Sequence, residues 1–352
     1  MRTATTLEAS GGWAEASQLA LEAEVLGLDV CWVAEAWGSD APSFLGWLAG
    51  RTYRMGLGSG ILQIGTRSPV LIAQTAMTLA EMSGGRFRLG LGASGPQVLE
   101  GLHGIGFAHP LGRTRETLRV IRAVLAGEKV DFAGEHVRIP LPGGQGKPMR
   151  TSLTPRSDVP IYLATQAPKM LELTGETADG WLGTAFVPEG ADALLAPLRA
   201  GAARAGRDLS ALDLCQGAEV AFAADEVQLH EMVTERKPGL AFSLGGMGTS
   251  STNFYYDAYR RQGWGERADR VRDLWQAGDR PAAAAAVSDE MVLATTLLGT
   301  EEMVRDRLAA WQAVGVTTVR LYPAGTDLAE KLDTLGRAID LVRGLPPGGP
   351  AF

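Results

Sequence analysis

The chain has 352 residues, 45% of them hydrophobic, and a net charge of -7. That length permits one large α/β barrel or two ordinary domains, and that apolar content excludes a disordered chain. The negative charge excludes a general nucleic-acid surface.

In chain order, Arg2 to Leu7 is a first strand rich in Thr and poor in large apolar residues. Trp13, Ala16, Leu19, Ala20, Ala23 and Leu26 then recur at helical spacing, and Gly27 ends the pattern. Asp29 to Ala34 is a buried strand that exits through Glu35-Ala36-Trp37-Gly38. Residues 41–51 read as helix, 54–62 as a third strand, 68–82 as a helix opened by Pro69, and 86–92 as a glycine-bearing fourth strand. The alternation resumes with strands at 160–165, 180–184, 212–223 and 316–322. Helices start at Pro168 and span 189–206 and 327–343. Eight strand–helix units predict an α/β fold, a (β/α)8 TIM barrel in a single domain over 1–352, with a doubly wound sheet as the alternative.

Two segments break the alternation. Residues 127–158 are rich in Gly and Pro, the composition and length of a lid, a dimer contact or a mobile segment. Residues 245–285 run from Gly245-Gly-Met-Gly248 into Phe254-Tyr-Tyr-Asp-Ala-Tyr259 and read as a helical insertion. The tyrosines there are packing residues or a substrate wall. Cys31 and Cys215, both in apolar runs, predict buried free thiols and a reducing compartment. Met1 to Ser10 has no signal-peptide core, and no apolar run spans a bilayer. The expectation is a soluble, cytoplasmic protein with no membrane partner.

The most informative stretch is Arg88-Leu-Gly-Leu-Gly-Ala-Ser-Gly-Pro-Gln-Val98. It passes from strand to helix, and its glycines admit a backbone or ligand at close range. Ser94 and Gln97 have capping-box spacing, and Pro96 suits a first helical turn. Free N–H groups there suit a phosphate or carboxylate. A capped strand–helix turn without ligand is the plain alternative.

In a barrel, function gathers at the C-terminal strand ends. That places together Glu35 and Trp37; Gly60, Ile61 and Gln63; Ser94 to Val98; Thr165 and Gln166; Thr184 and Phe186; and Tyr322. This lining suits a flat heteroaromatic ring with polar edges. The four histidines form no HxH or HExxH pair, so no metal is expected. No GxSxG elbow or GxxxxGK[ST] loop is present. Glu35 is either a functional carboxylate or a salt bridge at the strand end. His103 is either a pocket acid or a capping and packing residue.

Several segments together resemble the bacterial-luciferase-like superfamily, and within it the coenzyme F420-dependent oxidoreductases related to methylenetetrahydromethanopterin reductase. They are Val33 to Ala41, Leu57 to Gln63, Ser83 to Val98, Glu100-Gly-Leu-His-Gly104, Pro110 to Glu116, Pro160 to Ala164, Leu173 to Trp181 and Gly245 to Gly248. The resemblance implies a barrel with insertions, a homodimer, and a non-prolyl cis peptide at Gly60–Ile61 behind the deazaflavin ring. It implies that the cofactor phosphate lies at Ser94, Gly95, Pro96, Gln97 and Val98. The ring would lie by Gly60, Ile61, Thr165, Gln166 and Ala167, with Gln63 nearby. It implies hydride transfer between F420 and a small molecule, with Glu35 and His103 as candidate acid or base. Glu35-Ala36 stands where many relatives carry Asp-His, so reduction of an activated C=C or C=N bond is expected over alcohol oxidation. Ala167 stands where relatives often carry Gly. An FMN-dependent monooxygenase and a non-catalytic cofactor-binding or partner subunit are the alternatives.

Overall fold

The computed structural model describes residues 1–8, 12–248 and 253–347. The barrel strands are β1 (Arg2–Leu7), β2 (Val30–Val33), β3 (Gly56–Ser59), β4 (Phe87–Gly92), β5 (Ile161–Ala164), β6 (Gly180–Gly183), β7 (Asp213–Phe222) and β8 (Thr318–Pro323). Each pairs in parallel with the next, and β8 pairs with β1, so the sheet closes. Closure decides for the barrel against the doubly wound sheet.

The helices are α1 (Trp13–Leu26), α2 (Ala41–Ala49), α3 (Pro69–Met82), α4 (Pro110–Leu125), α5 (Pro168–Thr177), α6 (Asp192–Arg204) and α7 (Glu226–Gly245). After them come α8 (Phe254–Tyr259), α9 (Gly265–Gln276), α10 (Arg280–Ala286), α11 (Asp289–Thr295), α12 (Glu301–Ala313) and α13 (Leu328–Arg343). Local chemistry starts several of them. Asp40 caps α2 by accepting from the Ser43 N–H, and Ser68 caps α3 by accepting from the Leu71 N–H. Gly27, at φ 85, ends α1 in the left-handed conformation. The helices of the insertion, α8 to α11, begin only after the long α7, a helix over a stretch to which the sequence reading assigned no element.

Alternation along the strands sorts side chains between two cores. Leu57, Leu89, Leu91, Ile161, Leu163, Val319 and Leu321 face the helices, as does Cys31. Ala4, Val30, Trp32, Tyr162, Leu182 and Cys215 fill the barrel interior. Trp32 and Tyr162 meet edge-on there, with ring centroids 5.0 Å apart. Gly58 makes this possible, because a Cβ there would lie 2.3 Å from the Trp32 ring. Burial pushes both cysteine thiols up to about 12, which keeps them protonated.

The polar first strand has a tertiary explanation. Thr3 donates through N–H and hydroxyl to Asp29, and the Thr5 hydroxyl donates to the Leu321 carbonyl. At the N-terminal end of the barrel, Asp213 accepts from Arg2, Tyr162, Thr317 and Thr318. This cluster ties four strands or strand starts together on the face that stabilises rather than reacts.

The segment at 127–158 is not a free loop. Phe132–Ala133 and Arg138–Ile139 form a short antiparallel hairpin. Glu116 of α4 accepts from the N–H groups of Glu135, His136 and Val137. Val130 bonds to Met149, and Arg156 bonds back to Leu125. Among the described residues, no helix is long and apolar enough to cross a membrane.

Candidate active site

The sequence predicted one third strand over 54–62, but the structure breaks it. β3 stops at Ser59, the Gly60–Ile61 peptide is cis, and Leu62–Gln63 pairs separately with β4. Ile61 thereby packs on the interior core, together with Ala164. A Cβ on Gly92 would lie 3.0 Å from Ile61 and 3.6 Å from Ala164. Gly60 and Gly92 thus admit Trp32, Ile61 and Ala164 at close range where the strands end.

Some polar atoms near the strand ends have no protein partner. Trp32 Nε1, Thr6 Oγ1 and Gln166 Oε1 are all buried and unbonded. Thr6 lies two residues beyond Ala4 on the interior face of β1. Buried polar atoms of this kind are costly to leave unmet.

The turn after β4 departs from the predicted capping box. Ser94 adopts left-handed backbone at φ 59, and Gln97 instead donates its amide to the Gly248 carbonyl. Gln97–Leu102 forms a single wide turn, not a regular α-helix. Val98 and Leu99 both donate to the Gly95 carbonyl, so Val98 is internally engaged. Pro96 has no N–H to give. The N–H groups of Ser94 and Gly95 meet no protein acceptor among the described residues. A Cβ on Gly95 would find only the Gln97 amide oxygen, at 3.9 Å, so open space lies before this turn.

The strand-five exit is tightly organised. The Thr165 hydroxyl bonds to Thr174 at 2.8 Å, and its carbonyl accepts from Trp181. The Gln166 amide donates to the carbonyl and hydroxyl of Thr184, and Arg261 of the insertion donates to the Gln166 carbonyl. Ala167 has extended backbone at φ -69, which Ala adopts freely.

The remaining predicted residues are placed as follows. Gln63 is buried and donates to the Ala36 carbonyl at 2.8 Å, fastening the exit of β2. Glu35 receives two bonds of 2.7 Å from Arg67 and one from the Ala41 N–H. His103 is exposed at the end of the wide turn; its N–H donates to the Val98 carbonyl, and its imidazole makes no hydrogen bond to a described residue.

Sequence reading missed three neighbours of the mouth. Tyr255 of α8 lies beside Thr184, and burial raises its phenol. Arg261 is described above. Arg320 of β8 is buried in the barrel interior, where a strand position carrying Arg would not be sought. A period-2 reading of β8 would have placed Arg320 on the face of Thr318 and Tyr322. An open cavity of about 1210 Å³ lies elsewhere, between Trp264, Arg267, Leu293 and Arg307, and shares no lining residue with the mouth. The described residues hold no His, Cys, Asp and Glu group suited to a metal.

Fold and site together define the class: a closed parallel (β/α)8 barrel whose strand ends carry an open glycine turn and unmet polar atoms. The chain belongs to the luciferase-like monooxygenase family, which it matches over residues 1–318. It is 40% identical over 327 residues to a Mycobacterium tuberculosis protein that carries the name of a coenzyme F420-dependent oxidoreductase, covering 91% of this chain and 93% of that one. It is 29% identical over 324 residues to the 5,10-methylenetetrahydromethanopterin reductase of Archaeoglobus fulgidus, covering 90% and 92%. The solved coenzyme F420-dependent tetrahydromethanopterin reductase of Methanopyrus kandleri shares the fold, with a TM-score of 0.79, 24% identity and coverage of 95% and 97%.

Proposed function

We propose that this chain is an F420-dependent oxidoreductase that reduces an activated C=C or C=N bond of a small molecule. The carrying observation is the open space before Gly95, faced by the unmet N–H groups of Ser94 and Gly95, in a chain so similar to a protein named for F420. The residues fit the cofactor. Ser94 and Gly95 would bond its phosphate, Ile61 and Ala164 would flank its ring, and Gln166 Oε1 and Trp32 Nε1 would meet its polar edges. A deazaflavin held there supplies a hydride from ring carbon.

The chain's own residues supply alignment and exclusion of water. Gln63 and Arg67 fix the exit of β2, and Tyr255 closes over Thr184. Reduction is favoured over alcohol oxidation because Glu35, at that exit, is held by Arg67 and is not a free base. His103, exposed at the rim, or water then supplies the product proton. A homodimer is part of this reading, and sedimentation in solution measures it.

Ultraviolet–visible titration with F420 and with FMN is the test. Tight binding of F420, and transfer of one deuterium with one stereochemistry from labelled reduced F420 to product, is the expected result. Hydride should leave from the ring face opposite Gly60–Ile61. Oxygen consumption with reduced FMN and insertion of an oxygen atom would replace this reading with the monooxygenase one. Binding without turnover of any acceptor would leave a non-catalytic subunit.

A further inference from the structure

Arg320 is a buried cation without a carboxylate partner. It is 5% exposed, and one of its terminal nitrogens donates to the Gly183 carbonyl at 2.5 Å. Its Nε is buried with no acceptor. Asp213, on the adjacent β7, is already taken by Arg2, Tyr162, Thr317 and Thr318. The ionisable groups that face Arg320 are Tyr322, Cys215 and Tyr255. Burial holds the Cys215 thiol up near about 12 and raises the Tyr255 phenol, so neither answers the charge.

A guanidinium does not escape this cost by losing its proton. Burying it without a counterion is strongly unfavourable. The charge also lies close to the mouth. Arg320 pairs in register with Ala4 and Gly217, and its head group bonds next to Thr184, the residue that Gln166 and Tyr255 share.

We propose that Arg320 is the electrostatic partner of an anionic ligand group in the barrel mouth, and that this group is the ionised pyrimidine end of the bound deazaflavin. The inference rests on the F420 reading above. A reduced deazaflavin can release its N1 proton and spread the negative charge over N1 and the neighbouring carbonyl oxygen. Positive charge near that end is one way in which a protein tunes such a ring. The deep burial of Arg320 suits a ring seated on the floor of the mouth better than a substrate that enters and leaves.

The test is a pH titration of the ultraviolet–visible spectrum of reduced F420 bound to the full chain, for the natural protein, Arg320→Met and Arg320→Lys. The natural protein should keep the ring anionic to a pH at least one unit lower than R320M does, a tenfold change in ionisation constant, and R320K should restore part of it. R320M should unfold at a temperature no lower than the natural protein, because removing an unpaired buried charge relieves the fold. A purely structural arginine would show the opposite. Should R320M not fold, R320Q, which keeps a donor for the Gly183 carbonyl, takes its place. The same ionisation pH in natural and variant proteins overturns the proposal. An unchanged ring with weakened binding of carboxylate-bearing acceptors overturns it too, and assigns the anion to the substrate. If the natural protein binds no F420 at all, the F420 reading itself fails and this assignment falls with it.

Discussion

Arg67 grips Glu35 with both ends of its guanidinium, at 2.7 Å to each carboxylate oxygen, and reaches Asp40 at the same distance. Both side chains of the Glu35–Arg67 pair are largely buried, 10% and 16% exposed. This two-point geometry is the strong form of an ion pair and fixes the loop between β2 and α2. Arg67→Ala should destabilise the protein by about 3 kcal/mol, since it strands a buried charge. Glu35→Gln should keep most of the turnover rate and the shape of the pH–rate profile. Loss of one limb of that profile in E35Q would make Glu35 the acid or base.

Gly95 offers a clean test of the anchoring turn. Nothing but the Gln97 side chain lies within reach of a new Cβ, and its backbone is not left-handed. Gly95→Leu should therefore fold normally, yet occupy the space before the free N–H groups. We expect cofactor affinity to fall by at least tenfold, about 1.4 kcal/mol. Equal affinity in a folded G95L would move the phosphate elsewhere.

Asp213 anchors the opposite end of the barrel. Asp213→Ala would leave Arg2, Tyr162, Thr317 and Thr318 without their shared acceptor. A loss of about 3 kcal/mol in urea unfolding is expected, with cofactor affinity of the folded fraction unchanged. A loss below about 1 kcal/mol would show that water replaces the carboxylate readily.

Two carboxylates make stability sensitive to acid. Burial alone would raise Glu24, but N–H donors from Met55, Arg54 and Tyr53 override it and hold its carboxyl below the usual range. Glu116 is lowered in the same way by His136, Glu135 and Val137. A depressed folded pKa means stability that is complete above the unfolded value, near pH 4.3, and lost as pH falls through the folded value. Glu24→Gln and Glu116→Gln should each flatten the fall in unfolding temperature below about pH 4. An unchanged slope in both would place the acid sensitivity in other groups.

The Glu116 bonds also bear on the expected lid. Amides of Glu135, His136 and Val137 should exchange slowly with deuterium, with and without cofactor, while Gly143 to Lys147 exchange fast. Fast exchange throughout 127–158 would restore a mobile segment. Composition alone suggested such a segment, because Pro and Gly mark irregular backbone without saying what fastens it. The fastening comes from a carboxylate on α4, distant enough in sequence that no local pattern reports it.

The sequence by itself determined the alternation of strand and helix, the start of α3 at Pro69, and the glycine-bearing turn after β4. These depend on neighbours within a few residues, and local spacing records them. It also determined which residues crowd the C-terminal strand ends, because parallel strands all deliver their exits to one face. Only the tertiary structure decided that the sheet closes. Only it decided that Gln97 turns to Gly248 instead of capping its own turn, and that Glu35 is bound by Arg67. It alone left Arg320 in the interior with no carboxylate to meet it. Each of these is a contact between residues far apart in the chain, and a side chain's charge partner is set by packing rather than by its neighbours in sequence.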